Sequence, residues 1–128
     1  MTNYDLEEVP LLEKQLLFTF FFIITFMISM SLTYNQILKH RQKKPLYSRE
    51  TEQNILVFNR LFVIVIVLVF LYINVTDKKV RQAYDKCDVT TSNLQIAASV
   101  FPIIGAIIVL IVALRNVSQD IEVENPEI

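Results

Sequence analysis

The sequence predicts an all-α integral membrane protein with three transmembrane helices, the second of which extends beyond the bilayer. Of the 128 residues, 53% are apolar and only one is a glycine. A soluble domain of this length cannot bury that much apolar surface in one core. The apolar residues are also concentrated in three blocks, and each approaches the roughly 20 residues that a helix needs to cross the hydrocarbon layer.

The first span is predicted at residues 16–34, where "LLFTFFFIITFMISMSLTY" carries no charge. It is not expected to be a cleaved signal peptide, because its N-terminal flank is acidic and no small-residue cleavage site follows it. No helix breaker precedes Pro45, and a proline disfavours helix at the residue before it. The first helix is therefore expected to continue to about Lys43.

The second span is predicted at residues 55–75, although this stretch contains Arg60. An arginine at the centre of a membrane helix costs roughly 2.5 to 3.5 kcal/mol. Nearer an edge, its long side chain reaches the lipid phosphates and the cost falls. The favoured interpretation makes Arg60 a lipid-phosphate anchor about one turn inside the boundary. The alternative makes it a charge that binds a partner, beside Asn59.

The second helix is expected to be longer than its span. Ser48 is a suitable N-cap, and Glu50 and Glu52 suit the positive end of a helix. At the other end, four residues recur at helical spacing: Val80, Ala83, Tyr84 and Cys87. A helix that continues to about Cys87 would be on the order of 60 Å long.

The third span is predicted at residues 94–114, which also lack charge. Ser92 followed by Gln95 fits a capping box immediately before the apolar run. The third helix is therefore expected to start there and to end near Asn116.

The predicted organisation has three parts. Residues 1–15 form an acidic N-terminal segment, and residues 16–118 form the three-helix transmembrane domain. Residues 119–128 form an acidic C-terminal tail that contains Pro126 and is expected to be flexible.

Two sets of residues are candidates for helix packing, because lipid-embedded helices associate through small side chains and interhelical hydrogen bonds. In the third helix, the set is Ala98, Pro102, Gly105, Ala106 and Ala113. In the first helix, the set is Thr25, Ser29 and Thr33, which share one face. Packing is the favoured role of both sets. The alternatives are a hinge or pore-lining kink at the proline and a water path along the hydroxyl groups.

Basic residues set the expected orientation, because lysine and arginine accumulate on the cytoplasmic side. Only Lys14 precedes the first span, whereas five basic residues follow it, so the N-terminus is expected to be non-cytoplasmic. Four basic residues in the second connection weaken this preference. Lipid-headgroup anchoring is predicted for Lys39, Arg41, Lys43, Lys44 and Arg60.

The sequence offers no candidate for catalysis, for cofactor binding or for metal binding, and no enzyme activity is expected. A single cysteine, Cys87, excludes an internal disulfide and leaves either an intermolecular disulfide or a buried thiol. One cysteine and one histidine are too few for a typical structural zinc site. The spans contain no acidic residue of the kind that proton-coupled transporters use.

These features favour a structural or assembly subunit of a larger membrane complex, or of a membrane-bearing particle such as a virion. The alternative is a small pore-forming or holin-like protein that acts by self-association. The expected partners are the lipid bilayer, anionic lipid headgroups, and other membrane subunits or further copies of the chain. Nucleic acid is not expected, because the basic run "KHRQKK" has no interleaved aromatic residues.

Overall fold

The computed structural model describes residues 2–86 and 88–124, with side chains up to residue 116. The described residues form three α-helices and no strand, which confirms the predicted fold class. The helices are α1 (Asn3–His40), α2 (Arg49–Ala83) and α3 (Val89–Glu124). Each contains a stretch that is long and apolar enough to cross a membrane.

The N-terminal segment is helical and continuous with the first span. Its start is fixed by a reciprocal cap: the backbone N–H of Asp5 donates to the Thr2 hydroxyl, and the Thr2 N–H donates to the Asp5 carboxylate, both at 3.1 Å. This arrangement satisfies two backbone donors that the first turn leaves unpaired. The 38 residues of α1 span about 57 Å, well beyond the hydrocarbon thickness.

The helix α1 ends at His40, three residues before the position expected from Pro45. The chain leaves the helix at Gln42, whose φ of 59° is left-handed. Here the N–H of Lys43 donates to the carbonyl of Leu38 at 2.9 Å, which closes a Schellman motif. A backbone hydrogen-bond motif therefore ends the helix before the proline does.

The helix α2 begins as the sequence predicts and ends earlier. Ser48 is the N-cap and accepts a hydrogen bond from the Thr51 N–H at 3.2 Å. The C-terminus lies at Ala83, because Asp85 adopts a φ of 54° and the Lys86 N–H donates to a carbonyl in the last turn. The helix is thus about 52 Å long, and Cys87 lies outside the described residues.

The helix α3 begins one turn before the predicted capping box, so the predicted N-cap role of Ser92 is wrong. Asp88 accepts hydrogen bonds from the Thr91 N–H at 3.3 Å and from the Thr91 hydroxyl at 2.9 Å. These bonds lower the pKa of the Asp88 carboxyl. Aspartate is as favourable an N-cap as serine. Because Asp88 precedes Ser92 in the chain, the helix begins at the earlier cap. No Gly or Pro follows Asn116 before Glu124, and the helix continues to that residue.

The helix α2 lies between the other two helices and packs against both. Within the described residues, α1 and α3 make no direct backbone contact. Few apolar side chains are buried: Leu11, Leu32, Ile66, Val67, Ile73 and Ala113. Most of the others face outward, as expected for helices that contact lipid. The arrangement leaves an open groove between α1 and α3, with α2 as its floor.

Candidate functional site

Asn59 connects the middle of α2 to α1. Its side chain is only 1% exposed, and its amide nitrogen donates to the Ser29 hydroxyl at 3.0 Å and to the Thr25 carbonyl at 3.4 Å. The Thr25 hydroxyl donates within its own helix, to the Phe22 carbonyl at 2.6 Å. Two of the three predicted hydroxyl residues therefore lie at the α1–α2 contact, whereas Thr33 is exposed and faces the groove.

A second polar cluster joins α1 and α2 at the hairpin between them. The buried Asn35 side chain donates to the Glu52 carboxylate and accepts from the Tyr47 N–H at 3.0 Å. Lys39 forms an ion pair with the same carboxylate at 2.8 Å. The Tyr47 hydroxyl also bonds to the Ser31 hydroxyl at 2.7 Å. The sequence did not single out Asn35 or Tyr47, because only the hairpin geometry brings them together.

Asn74 connects α2 to α3. Its amide donates to the Ser99 hydroxyl and to the Gln95 carbonyl, the latter at 3.4 Å. One turn further along α2, the Lys78 ammonium donates to the Asn93 side chain at 2.7 Å. Sequence analysis missed these residues, although an asparagine inside a predicted span is itself a signal for an interhelical hydrogen bond.

Three charged residues meet at the opposite end of the α1–α2 pair. Arg81 donates to Asp77 at 2.9 Å and lies 3.6 Å from the carboxylate of the buried Glu8. Burial raises the pKa of Glu8 to about 7, and the neighbouring Asp77 carboxylate adds to the rise while Arg81 opposes it. Within the described part of the chain, one buried oxygen on each carboxylate has no hydrogen-bond partner.

The interhelical groove, defined as the space between α1 and α3 above α2, contains three adjoining cavities. The cavity nearest the hairpin measures about 270 Å³, and the next about 220 Å³. Arg60 and Val109 line both of these cavities. The third cavity, of about 370 Å³, lies at the far end, beside Asn74 and Ser99. Polar residues thus line both ends of the groove, and apolar residues line its middle.

Arg60 lies on the face of α2 that borders the groove. It is eight residues, or about 12 Å, from Glu52, the nearest charged residue of α2 on the hairpin side. Its neighbour Asn59 lies beside Thr25, in the middle of the first span. The Arg60 Nε atom is buried and has no hydrogen-bond partner among the described residues. Arg60 therefore borders the groove, and its buried Nε atom has no partner among the described residues.

The small residues of α3 line the groove rather than a tight helix contact. Ala98, Pro102, Gly105 and Ala106 border the cavities, and only Ala113 of the predicted set is buried. A Cβ atom added to Gly105 would meet no described atom within 4 Å. Small side chains at these positions therefore leave the groove open.

The other predicted headgroup anchors lie near the hairpin. Arg41, Lys43 and Lys44 are exposed there, whereas Lys39 is partly covered and paired with Glu52. The hairpin therefore carries a basic surface at the same end of the molecule as the polar end of the groove that Arg60 borders.

No protein-family model, no curated protein and no solved structure matches this chain.

Proposed function

We propose that this protein is a non-catalytic structural or assembly subunit of a larger membrane complex, or of a membrane-bearing particle such as a virion. An exposed apolar patch outside the predicted spans carries the proposal. Leu6 and Leu12 are each 54% exposed, and Val9 between them is also exposed. These residues recur every three positions on α1 and are therefore neighbours on the helix surface. We call them the N-terminal apolar patch.

The N-terminal apolar patch lies on a part of α1 that is held in place by contacts with the rest of the chain. Residues 3–15 of α1 precede the predicted span and extend about 20 Å. They pack against α2 through the buried Leu11 and through an edge-on contact between the Tyr4 and Tyr84 rings, whose centroids lie 5.8 Å apart. The ion pair between Glu8 and Arg81 lies between these contacts. A partner would therefore meet a pre-ordered surface, which lowers the entropy cost of binding.

Lipid tails cannot cover apolar residues that lie beyond the hydrocarbon. Leaving such surface in water costs roughly 25 cal/mol per Å². Exposed apolar patches rimmed by polar residues are typical of protein interfaces, and here the acidic residues Asp5 and Glu13 adjoin the two ends of the patch. A further membrane subunit or another copy of this chain would cover the patch.

Native mass spectrometry of the protein extracted from its own membranes in mild detergent tests the proposal. The wild type is expected in an assembly with a fixed ratio of subunits. The double variant Leu6→Ser, Leu12→Ser should weaken that assembly by about tenfold or more, because two buried leucines contribute several kcal/mol. Leu46→Ser removes an equally exposed leucine from the hairpin and serves as the control. A monomeric wild type, or equal behaviour of the two variants, would contradict the proposal.

A pore-forming or holin-like function is the competing proposal. It is favoured by the polar groups that line the groove at membrane depth, notably Arg60 and Thr33. Expression in bacteria with a membrane-impermeant dye separates the two functions. Timed entry of the dye supports a self-associated pore, and exclusion of the dye supports the assembly subunit.

The proposal includes an orientation, with the N-terminal apolar patch on the non-cytoplasmic side and the basic hairpin in the cytoplasm. The exposed Arg41, Lys43 and Lys44 support it, because basic residues beside a span favour the cytoplasmic face.

A further inference from the structure

We propose that the half of the interhelical groove nearest the hairpin binds one anionic phospholipid, with its phosphate at Arg60 and an acyl chain along α3. This inference concerns a ligand of the groove and is independent of what covers the N-terminal apolar patch.

The two cavities that meet at Arg60 have the polarity of such a lipid. The cavity nearer the hairpin has a mixed lining, in which hydroxyl and amide side chains stand beside five apolar ones; the polar residues besides Arg60 are Ser29, Thr33, Gln36 and Asn116. The deeper cavity is apolar apart from Arg60 and is lined by Phe22, Val63, Val67, Pro102, Gly105, Ala106 and Val109. A phospholipid has the same order of polarity: its headgroup would lie in the cavity nearer the hairpin, and its acyl chain would lie in the deeper, apolar cavity.

The charge at Arg60 favours an anionic occupant. No acidic residue lines either cavity, as far as the described residues show, and the buried Nε atom lacks a partner. Another copy of the chain would not supply the anion, because the three predicted spans contain no acid. A phosphate supplies it, since a guanidinium forms paired, charge-assisted hydrogen bonds with phosphate oxygens.

The direction of α2 favours contact with the lipid phosphates on the hairpin side. Helical side chains lean toward the N-terminus of their helix, and the N-terminus of α2 lies at the hairpin. Arg60 therefore leans toward the nearer interface, and its long side chain closes part of the remaining distance. The exposed Arg41, Lys43 and Lys44 would also concentrate anionic lipid at this entrance.

Native mass spectrometry of the purified protein in mixed micelles, titrated with phosphatidylglycerol or phosphatidylcholine, tests the site. The wild type is expected to retain one phosphatidylglycerol molecule with a preference of about tenfold or more, as paired contacts to a charged group imply. Arg60→Gln should abolish this preference. Arg115→Gln is the matched control, because Arg115 is an exposed arginine near the same end and lines neither cavity.

A second variant tests the chain region of the site without a change in charge. Gly105→Leu places a side chain into the deeper cavity, where a Cβ atom meets no described neighbour, so the backbone need not move. Gly105→Leu should also reduce the retention of phosphatidylglycerol. If Arg60→Gln does not fold, this variant still tests whether the groove binds the lipid. If Arg60→Gln and Arg115→Gln lose the preference for phosphatidylglycerol equally, general attraction of anionic lipid to the basic surface explains the binding, and the proposed site is wrong. Equal retention of both lipids by the wild type, or a bound acidic protein segment in place of lipid, would also overturn it.

Discussion

Three asparagine side chains make hydrogen bonds that connect the helices of this protein. Asn35 and Asn59 connect α1 to α2, and Asn74 connects α2 to α3. Asn59 and Asn74 lie within a predicted span, where little water competes for their donors and an interhelical hydrogen bond contributes roughly 0.6 to 2 kcal/mol. Asn35 lies at the hairpin instead. The three residues lie at different depths and therefore fix the register of the antiparallel helices along their whole length.

Glu8 is the residue whose ionisation is most strongly coupled to folding. In the folded protein its pKa is about 7, compared with an ordinary value of 4.5. The folded state thus holds a proton that the unfolded state releases at lower pH. The contribution of Glu8 to stability is therefore highest below pH 4.5, falls as the pH rises toward 7, and is not reduced further above that value.

Glu8→Gln should remove this pH dependence, because glutamine does not titrate. Near pH 7.5 the variant should gain stability relative to the wild type, by at most about 3 kcal/mol for a shift of this size. Below pH 4.5 the two proteins should have similar stability. Thermal unfolding of the detergent-solubilised proteins between pH 4 and 8 measures the difference.

Glu7→Gln is the control for this experiment, because Glu7 is the adjacent acidic residue and is exposed. Its melting curves should follow those of the wild type. If Glu8→Gln and the wild type lose stability in parallel as the pH rises, Glu8 is not the group responsible.

At the level of the elements, both hairpin connections reverse the chain without glycine. Gln42 follows α1 and Asp85 follows α2, and both have positive φ values. A left-handed conformation costs a side-chain-bearing residue about 1 to 2 kcal/mol, which is why glycine is common at this position. The only glycine of the sequence is instead Gly105, in the middle of α3. The ends of α1 and α2 therefore store strain that a substitution can release.

Gln42→Gly should stabilise the α1–α2 hairpin by about 1 kcal/mol, because glycine adopts positive φ without steric cost. Gln42→Val should destabilise it, because a branched side chain disfavours this conformation further. Denaturant unfolding of the two variants in bicelles measures both effects. Equal destabilisation by both substitutions would show that the left-handed residue is not strained.

At the scale of the whole molecule, α2 holds two helices that do not pack on each other. Each flanking helix buries one narrow face against α2 and leaves its remaining surface to lipid, to the groove or to a partner. This arrangement explains why a chain that is 53% apolar buries so few side chains. All three helices are also longer than the roughly 20 residues that a bilayer requires.

The orientation of the whole molecule can be tested with single cysteines in a Cys87→Ser background. Lys44→Cys lies in the exposed hairpin, and Lys86→Cys lies in the exposed α2–α3 connection. With the basic hairpin in the cytoplasm, an impermeant maleimide should label Lys86→Cys in intact cells. It should label Lys44→Cys only after the membrane is permeabilised. The reverse pattern would invert the proposed orientation.

The sequence alone determined the fold class, the three helices that are apolar and long enough to cross a membrane, and the cap of α2. Long uncharged runs require helices in a solvent without hydrogen-bond donors, and this requirement depends on composition rather than on tertiary contacts. Ser48 was predictable for a similar reason, because an N-cap acts within a single turn. The end of α1 at His40 and the start of α3 at Val89 were missed, because local backbone hydrogen bonds at Gln42 and Asp88 competed with the expected signals.

Only the tertiary structure decided which polar residues meet and where the groove lies. The partners of Asn35, Asn59 and Asn74 are 12 to 34 positions away in the chain, so they depend on the register between helices. The same register places Arg60 beside the small residues of α3 and exposes it to the groove. A sequence specifies how apolar each helix is, but the direction that each side chain faces follows from how the helices pack.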